Sequence, residues 1–469
     1  MRFSAATLAD RILPSGLRER VRPSLNRIDL ALFSNTEHAK AGRMSIAAFL
    51  IRIVSALLAL AMQILLARWM ASFEYGIFVL VWTTVVIGGS IASFGFHTSV
   101  IRYVSEYRER SMLAELQGVL RTSRIFTLLV STFLAALGIG SVWLLQSRIE
   151  AYYIVPLYLG MICLPMIALG DVLEGIARGN SWAYWALGPI YLLRPALILA
   201  FMAIAIWLGY PADAPTAMTA AILATYLTTL AQLGGVNFSL GKTMDHAAPA
   251  FRLREWIAVS LPIFLVESFF FLLTNMDVLM VGYFLEPDDV GVYFATVKTL
   301  ALVHFVYFAV KAGAAQRYAQ FAHTDPAQLA RFARDTVTWT FWPSLALAVV
   351  VLLIGKPLLM LFGNEFAAGY PLLFAQMIGV LARASVGPAE SLLTMSGNQK
   401  ACARVYGVTL ALNIALCIIL IPKFGLWGAA IASALSMMFE AAALSWTAWK
   451  QLGVAMTIFL PATFRGKDI

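Results

Sequence analysis

The sequence predicts an all-α integral membrane protein, with about twelve transmembrane helices in two parallel six-helix bundles. Three observations predict it. The first is composition: 61% of the 469 residues are hydrophobic and only 13% charged, with a mean hydropathy of +0.80, where soluble domains carry about 25% charged residues. The second is an internal repeat. Residues 74–78 read EYGIF and residues 289–293 read DVGVY, an offset of 215. Arg102-Tyr103 falls on Arg317-Tyr318 at the same offset, and Gly179-Asn180 matches Gly397-Asn398 at 218. The third is the placement of Lys and Arg, which crowd onto every second connection.

The elements follow in chain order. Residues 1–43 hold eight Lys/Arg and lack the apolar central run of a signal peptide. Leu8, Ile12, Leu17, Val21, Leu25, Ile28 and Leu32 recur among the charges, interrupted by Pro14 and Pro23. This segment reads either as short amphipathic pieces on a lipid surface or as a disordered basic tail. A span needs about 20 mostly apolar residues. In the first half such stretches are 44–67, 76–97, 124–145, 152–173, 186–208 and 217–238. In the second they are 257–282, 290–312, 336–355, 371–391, 404–421 and 426–449. Pro165, Pro195, Pro262 and Pro343 fall inside them, which membrane helices tolerate. The expected division is a basic segment 1–43, a bundle 44–238, a linker 239–256, a bundle 257–449 and a tail 450–469.

With the N-terminus inside, the inner segments and adjoining helix ends hold 26 of the 34 Lys/Arg. The outer loops hold four, Arg68, Arg148, Lys356 and Lys423. Positive charge stays on the cytoplasmic side, so both termini are expected there. Six spans per half is an even number, so both halves enter from one side and the repeat is parallel.

Several function classes are excluded on the residues. Cys163, Cys402 and Cys417 show no ligand or disulfide spacing, and the five histidines are scattered. No metal site is expected. Gly241-Lys242-Thr243 resembles the end of a phosphate loop, but position 236 holds Val236 where the loop needs glycine. No connection is long enough for a soluble catalytic domain, the longest being inner loops of about 25 residues. The net charge of +9 follows from arginines at a membrane face, so nucleic acid is not an expected partner.

Particular residues carry a resemblance. They are Ala67-Arg68-Trp69 to Glu74-Tyr75-Gly76-Ile77-Phe78, then Phe94-Gly95-Phe96 and Ile101-Arg102-Tyr103. The second half adds Asp277-Val278-Leu279-Met280 and Asp289-Val290-Gly291-Val292-Tyr293. Near the end come Leu420-Ile421-Pro422-Lys423, Gly425 and Gly428-Ala429-Ala430-Ile431-Ala432. Over about residues 44–449 the chain resembles the polysaccharide biosynthesis, or Wzx-type, lipid-linked oligosaccharide flippases. These belong to the multidrug/oligosaccharidyl-lipid/polysaccharide (MOP) exporter superfamily. The resemblance implies a MATE-like fold, with two bundles around a cavity that opens alternately to each side.

Charges inside spans are expensive and face a cavity or a partner. Arg52 and Arg194 each lie about eight residues into a span, roughly 12 Å deep at 1.5 Å per residue. Each either faces the cavity or snorkels and pairs between helices. Lys298 and Arg383 are comparably deep from the other side. The span carboxylates are Glu267, Asp277 and Glu440, with Asp171, Glu174 and Glu390 near inner helix ends. The 215-residue offset carries Arg52 onto Glu267, so the two are expected at one depth, either paired across the cavity or each held within its own half.

The expected function is a flippase moving a polyprenyl-diphosphate-linked oligosaccharide across the bacterial inner membrane for lipopolysaccharide or exopolysaccharide synthesis. Arg52, Arg194, Lys298 and Arg383 would bind the anionic head, because guanidinium forks match phosphate oxygens. Glu267, Asp277 and Glu440 would couple the cycle to H⁺ or Na⁺, with no other cofactor. Membrane lipids and other polysaccharide-assembly membrane proteins are the expected partners. Two alternatives remain. A cation-coupled drug or metabolite exporter of the same superfamily should show an acid-dominated cavity. A membrane-embedded glycan polymerase or ligase should carry a large outer loop, whereas the longest here is about 15 residues.

Overall fold

The computed structural model of the protein describes residues 37–244 and 247–459, apart from the side chains of residues 37–50, 52, 53, 323, 324 and 326. Most of the expected basic segment 1–43 and the end of the tail therefore lie outside the described residues. A multi-pass membrane protein results: eleven described helical stretches are long and apolar enough to cross a bilayer. The first of them is two crossings, because α1 (Glu37–Ala92) breaks at Ala71, whose φ of 60° and ψ of 177° are not helical. Ile51 and Phe94 pack on one cluster, built on Phe96, Val100, Tyr103 and Trp256. Leu66, Met70 and Tyr75 pack in another. The chain thus runs away from the first cluster, turns at Ala71 and returns, which brings the total to twelve crossings.

The first bundle continues with α2 (Phe96–Glu109), α3 (Leu113–Leu145) and α4 (Ala151–Gly179). Its fifth crossing is α5 (Ala183–Leu187), a π-helical turn (Gly188–Leu193) and α6 (Arg194–Trp207), and its sixth is α7 (Ala214–Thr243). The second bundle holds α8 (Leu253–Leu273) and α9 (Met276–Phe284) as one broken crossing, then α10 (Pro287–Thr324) and α11 (Pro326–Met360). A 3-10 turn (Glu365–Gly369), α12 (Tyr370–Ala384) and α13 (Ala389–Met395) make the tenth crossing, and α14 (Gln399–Phe424) and α15 (Leu426–Leu452) the last two. Helix ends recur with the repeat. The break at Ala71 corresponds to Glu286 between α9 and α10, and the turn 110–112 corresponds to Asp325.

Two expectations need correction. The inner segments 98–123 and 313–335, expected as loops, are largely helical, because α2 and α10 run on past the apolar stretch. Helix ends can outlast the hydrocarbon where charged side chains are solvated, as Arg102, Arg110 and Glu106 are in their i,i+4 pairs. Two crossings expected as continuous are broken: the seventh at Thr274-Asn275, and the second at 93–95, where Phe94 and Gly95 take φ values of 50° and 75°. The freed backbone groups find local partners, as in Asn275 Nδ2 donating to the Phe271 carbonyl at 2.8 Å.

The turns 110–112, 180–182, 325 and 397–398 and the stretch 247–252 share the face that carries most of the Lys/Arg, hereafter the basic face. On the opposite face the two copies of the repeated motif pack against each other. Gly76 of EYGIF meets the Pro287 carbonyl, and a Cβ on Gly291 of DVGVY would lie 2.8 Å from the Ser72 carbonyl oxygen. Only glycine permits that backbone approach. Ser72 donates to Asp288 across this seam, and Arg68 Nε donates to the Leu361 carbonyl at 2.5 Å. Toward the basic face a second seam joins α2 to α8. Ser99 and Ser260 hydroxyls lie 2.6 Å apart, and Trp256 Nε1 donates to the Tyr107 hydroxyl at 2.9 Å.

Candidate functional site

The break between α8 and α9 opens a polar interior in the second bundle. A cavity of about 370 Å³ lies there, bordered by Asp277, Lys298, His304, Gln376, Arg383 and Glu440 among others. Every residue lining it belongs to the second bundle. It is therefore inside one bundle, where a cavity between the two was expected.

Three of the predicted carboxylates and one of the predicted cations have definite surroundings. Asp277 sits in the first turn of α9 and is buried. It accepts from the Val278 N–H at 2.9 Å, the Tyr293 hydroxyl at 2.8 Å and the Ser433 hydroxyl at 3.1 Å. Three donors satisfy most of a carboxylate's capacity, so Asp277 pins α9 to α10 and α15. Arg383 and Glu440 come together. Arg383 Nη2 lies 3.3 Å from Glu440 Oε1 without a hydrogen-bonding angle, and 4.0 Å from Glu390 Oε2. Lys311 closes the group by pairing with Glu390. The guanidinium also rests on Tyr307, 4.8 Å from its centroid, and on Phe270. Two cations and two carboxylates thus form one group in which Arg383, Glu390 and Glu440 are buried, so breaking one pair strands the other charge.

Lys298 and Arg194 are different. Lys298 Nζ stands 4.6 Å from the Phe294 ring centroid, and the Arg194 guanidinium 5.7 Å from that of Trp82. Neither has a carboxylate within 4.0 Å among the described residues. Cation–π contacts of this kind stabilise by about 0.5–2 kcal/mol. Arg194 begins α6 directly after the π-helical turn, and Pro195 at the next position suits a first helical turn.

Glu267 has partners that its repeat position did not indicate. It accepts from Thr98 Oγ1 at 2.8 Å, and its other oxygen lies 3.0 Å from His97 Nε2. His97 Nδ1 is 2.8 Å from Ser93 Oγ. The side chain of Arg52 lies outside the described residues, so the expected Arg52–Glu267 pair has only its Glu267 end on view. Sequence reasoning missed His97, Tyr293 and the grouping of Lys311 with Glu390. The i,i+7 spacings of His304 with Lys311 and of Arg383 with Glu390 were the available signal for the last of these.

Comparison with known proteins places these features. Residues 41–315, more than half of the chain, match the family described as "Polysaccharide biosynthesis protein". The chain belongs to this family. Residues 262–419 also match the MatE family. A curated relative is the "Probable low-salt glycan biosynthesis flippase Agl15" of Haloferax volcanii, 26% identical over 383 residues, covering 79% of this chain and 75% of that protein. Among solved structures, the fold resembles the inward-facing conformation of a multidrug resistance MATE family transporter of the MOP superfamily. The TM-score is 0.69 at 14% identity, covering 87% of this chain and 94% of that one. It also resembles the lipid II flippase MurJ in its inward closed conformation, with a TM-score of 0.66 at 15% identity, covering 86% and 87%. The relatives it matches are thus a probable glycan flippase and, in fold, a multidrug transporter and a lipid II flippase.

Proposed function

We propose that this protein flips a lipid-linked oligosaccharide, carried on a polyprenyl diphosphate, across the bacterial inner membrane by alternating access, for surface polysaccharide assembly. Both termini are cytoplasmic in this reading, the basic face being the inner one. The observation that carries it is the pair of cations without carboxylate partners, Arg194 over Trp82 and Lys298 over Phe294, one in each bundle. A half-buried cation with no acid within 4.0 Å among the described residues is poised for the oxygen-rich head of a ligand. Arg52 and Arg194 meet the diphosphate, and Lys298 and Arg383 meet the head group from the second bundle. Glu267, Asp277 and Glu440 are the coupling carboxylates, for H⁺ or Na⁺. Support comes from the glycan flippase relative, which spans most of both chains. The residues 44–238 and 257–449 are the two moving units.

The test is surface-polysaccharide display in a deletion strain complemented with Arg194→Ala. Display should fall by about 100-fold, the scale of roughly 2–3 kcal/mol for a lost charge-assisted bond, while lipid-linked intermediate accumulates on the cytoplasmic face. Arg194→Lys should rescue in part, since lysine keeps the charge and loses the fork. Normal display together with altered resistance to cationic drugs would transfer the protein to the exporter class.

A further inference from the structure

The cavity of the second bundle is built for something other than a phosphate. Its formal charges balance: Lys298 and Arg383 are matched by Asp277 and Glu440. Two carboxylates at the wall repel a diphosphate, and two cations repel an organic cation. What remains is a dense set of neutral donors and acceptors. Asn275, Gln376, Asn413, Ser433 and Ser436 line the same space. Polar atoms of these residues are buried without a hydrogen-bond partner: Gln376 Oε1, Arg383 Nε and His304 Nε2, while Arg383 Nη2 and Glu440 Oε1 meet only as an ion pair. Gln376 is 3% exposed, Arg383 4% and Glu440 1%. Leaving such a group unmatched is costly, and the residues that carry these atoms all border one space of ligand size. The remaining wall is aromatic, with Phe270, Phe271 and Phe308.

We infer that this cavity is a saccharide subsite, taking one sugar unit of the transported glycan. A pyranose ring presents hydroxyls that both donate and accept around its edge, and apolar C–H faces above and below. Gln376 Oε1 and Glu440 Oε1 accept from hydroxyls, Arg383 Nε donates to one, and the phenyl rings cover a face. The inference rests on the flippase reading and divides its substrate: the first-bundle arginines hold the diphosphate, and the second bundle reads the sugar. The sugar a given flippase accepts would then be set by residues 376, 413 and 440, away from the phosphate-binding arginines.

The experiment uses the purified full-length protein in detergent and measures thermal stabilisation by two probes. One is a panel of methyl glycosides of hexoses, N-acetylhexosamines and hexuronic acids. The other is inorganic pyrophosphate. A ligand at 100 times its Kd stabilises by about 2.7 kcal/mol, a readily measured shift. At least one glycoside should stabilise the wild type. The shift should vanish in Gln376→Met, a near-isosteric change, and in Asn413→Ala, and persist in Arg194→Ala. Pyrophosphate should show the reverse dependence. The melting temperature without probe reports folding, and either of the two second-bundle variants suffices if the other does not fold. No response to any glycoside, or a response unchanged in both variants, overturns the saccharide subsite. A pyrophosphate shift that needs Gln376 and Asn413 overturns it as well. Failure of the flippase reading looks different. Lipid-linked glycan would then not be translocated by the wild type in proteoliposomes, and cationic drugs would be.

Discussion

At the residue scale, satisfaction of hydrogen bonds separates structural charges from available ones. Asp277 receives three donors, so Asp277→Ala strands the Tyr293 and Ser433 hydroxyls and the Val278 N–H. The expected loss is about 2–4 kcal/mol, at roughly 1–3 kcal/mol for a buried group left unmatched, read by chemical denaturation in detergent. The Arg383–Glu440 pair makes a sharper test. Arg383→Met alone leaves Glu440 buried without its cation and should cost about 3–5 kcal/mol. Arg383→Met with Glu440→Gln removes both charges and should recover more than half of that. Additive losses would mean that the 3.3 Å approach carries no coupling. The sequence showed these charges as expensive, and it did not show their partners. Depth follows from counting residues along a span, whereas facing depends on helix rotation and on breaks such as Thr274-Asn275. Glu267 illustrates this. The repeat pointed to Arg52, whose side chain lies outside the described residues, and gave no sign of His97 and Thr98, which contact Glu267; the same offset carries His97 onto Ala312, so that contact belongs to one half only.

At the scale of elements, the repeat was legible because bilayer thickness fixes span length and because its motif has a packing role. EYGIF and DVGVY meet at the seam on the face opposite the basic one, and the glycine in each lets backbone approach backbone. Gly76→Leu should hold the two hairpins apart there. The expected result is a fall of at least about tenfold in translocation, or 1.4 kcal/mol, with new reactivity of a cysteine placed at Ser72. Unchanged translocation and continued protection would show that the Gly76–Pro287 contact is dispensable. The breaks within crossings were not legible, since neither Ser93-Phe94 nor Thr274-Asn275 is a strong helix-breaking pair. Each break is stabilised by tertiary contacts: Gly95 turns where the Ser260 carbonyl comes within 2.7 Å of a Cβ position, and Asn275 caps its own preceding turn.

At the scale of the whole molecule, the bundles touch along two seams, one toward each face. Alternating access requires the seams to part in turn. Toward the basic face, Ser99 and Ser260 oxygens are 2.6 Å apart. Paired Ser99→Cys and Ser260→Cys therefore form a disulfide upon oxidation. The native Cys163, Cys402 and Cys417 are free and buried, so the background is low. Oxidation should stop translocation in proteoliposomes, and a reductant should restore it. The cross-linked protein should stay folded, because the disulfide only fixes a contact already made. The topology is tested on the same footing. A cysteine at Tyr210, which is 62% exposed, should react with an impermeant reagent added outside the cell, and one at Arg110 should not. Labelling at Arg110 instead would reverse the orientation, and with it which seam the substrate meets first. Translocation that continues through the oxidised seam would remove the requirement that α2 and α8 separate. The substrate would then have to pass by another route, such as between α1 and α10, whose packing on the opposite face is held by Gly76, Gly291 and the Ser72–Asp288 hydrogen bond.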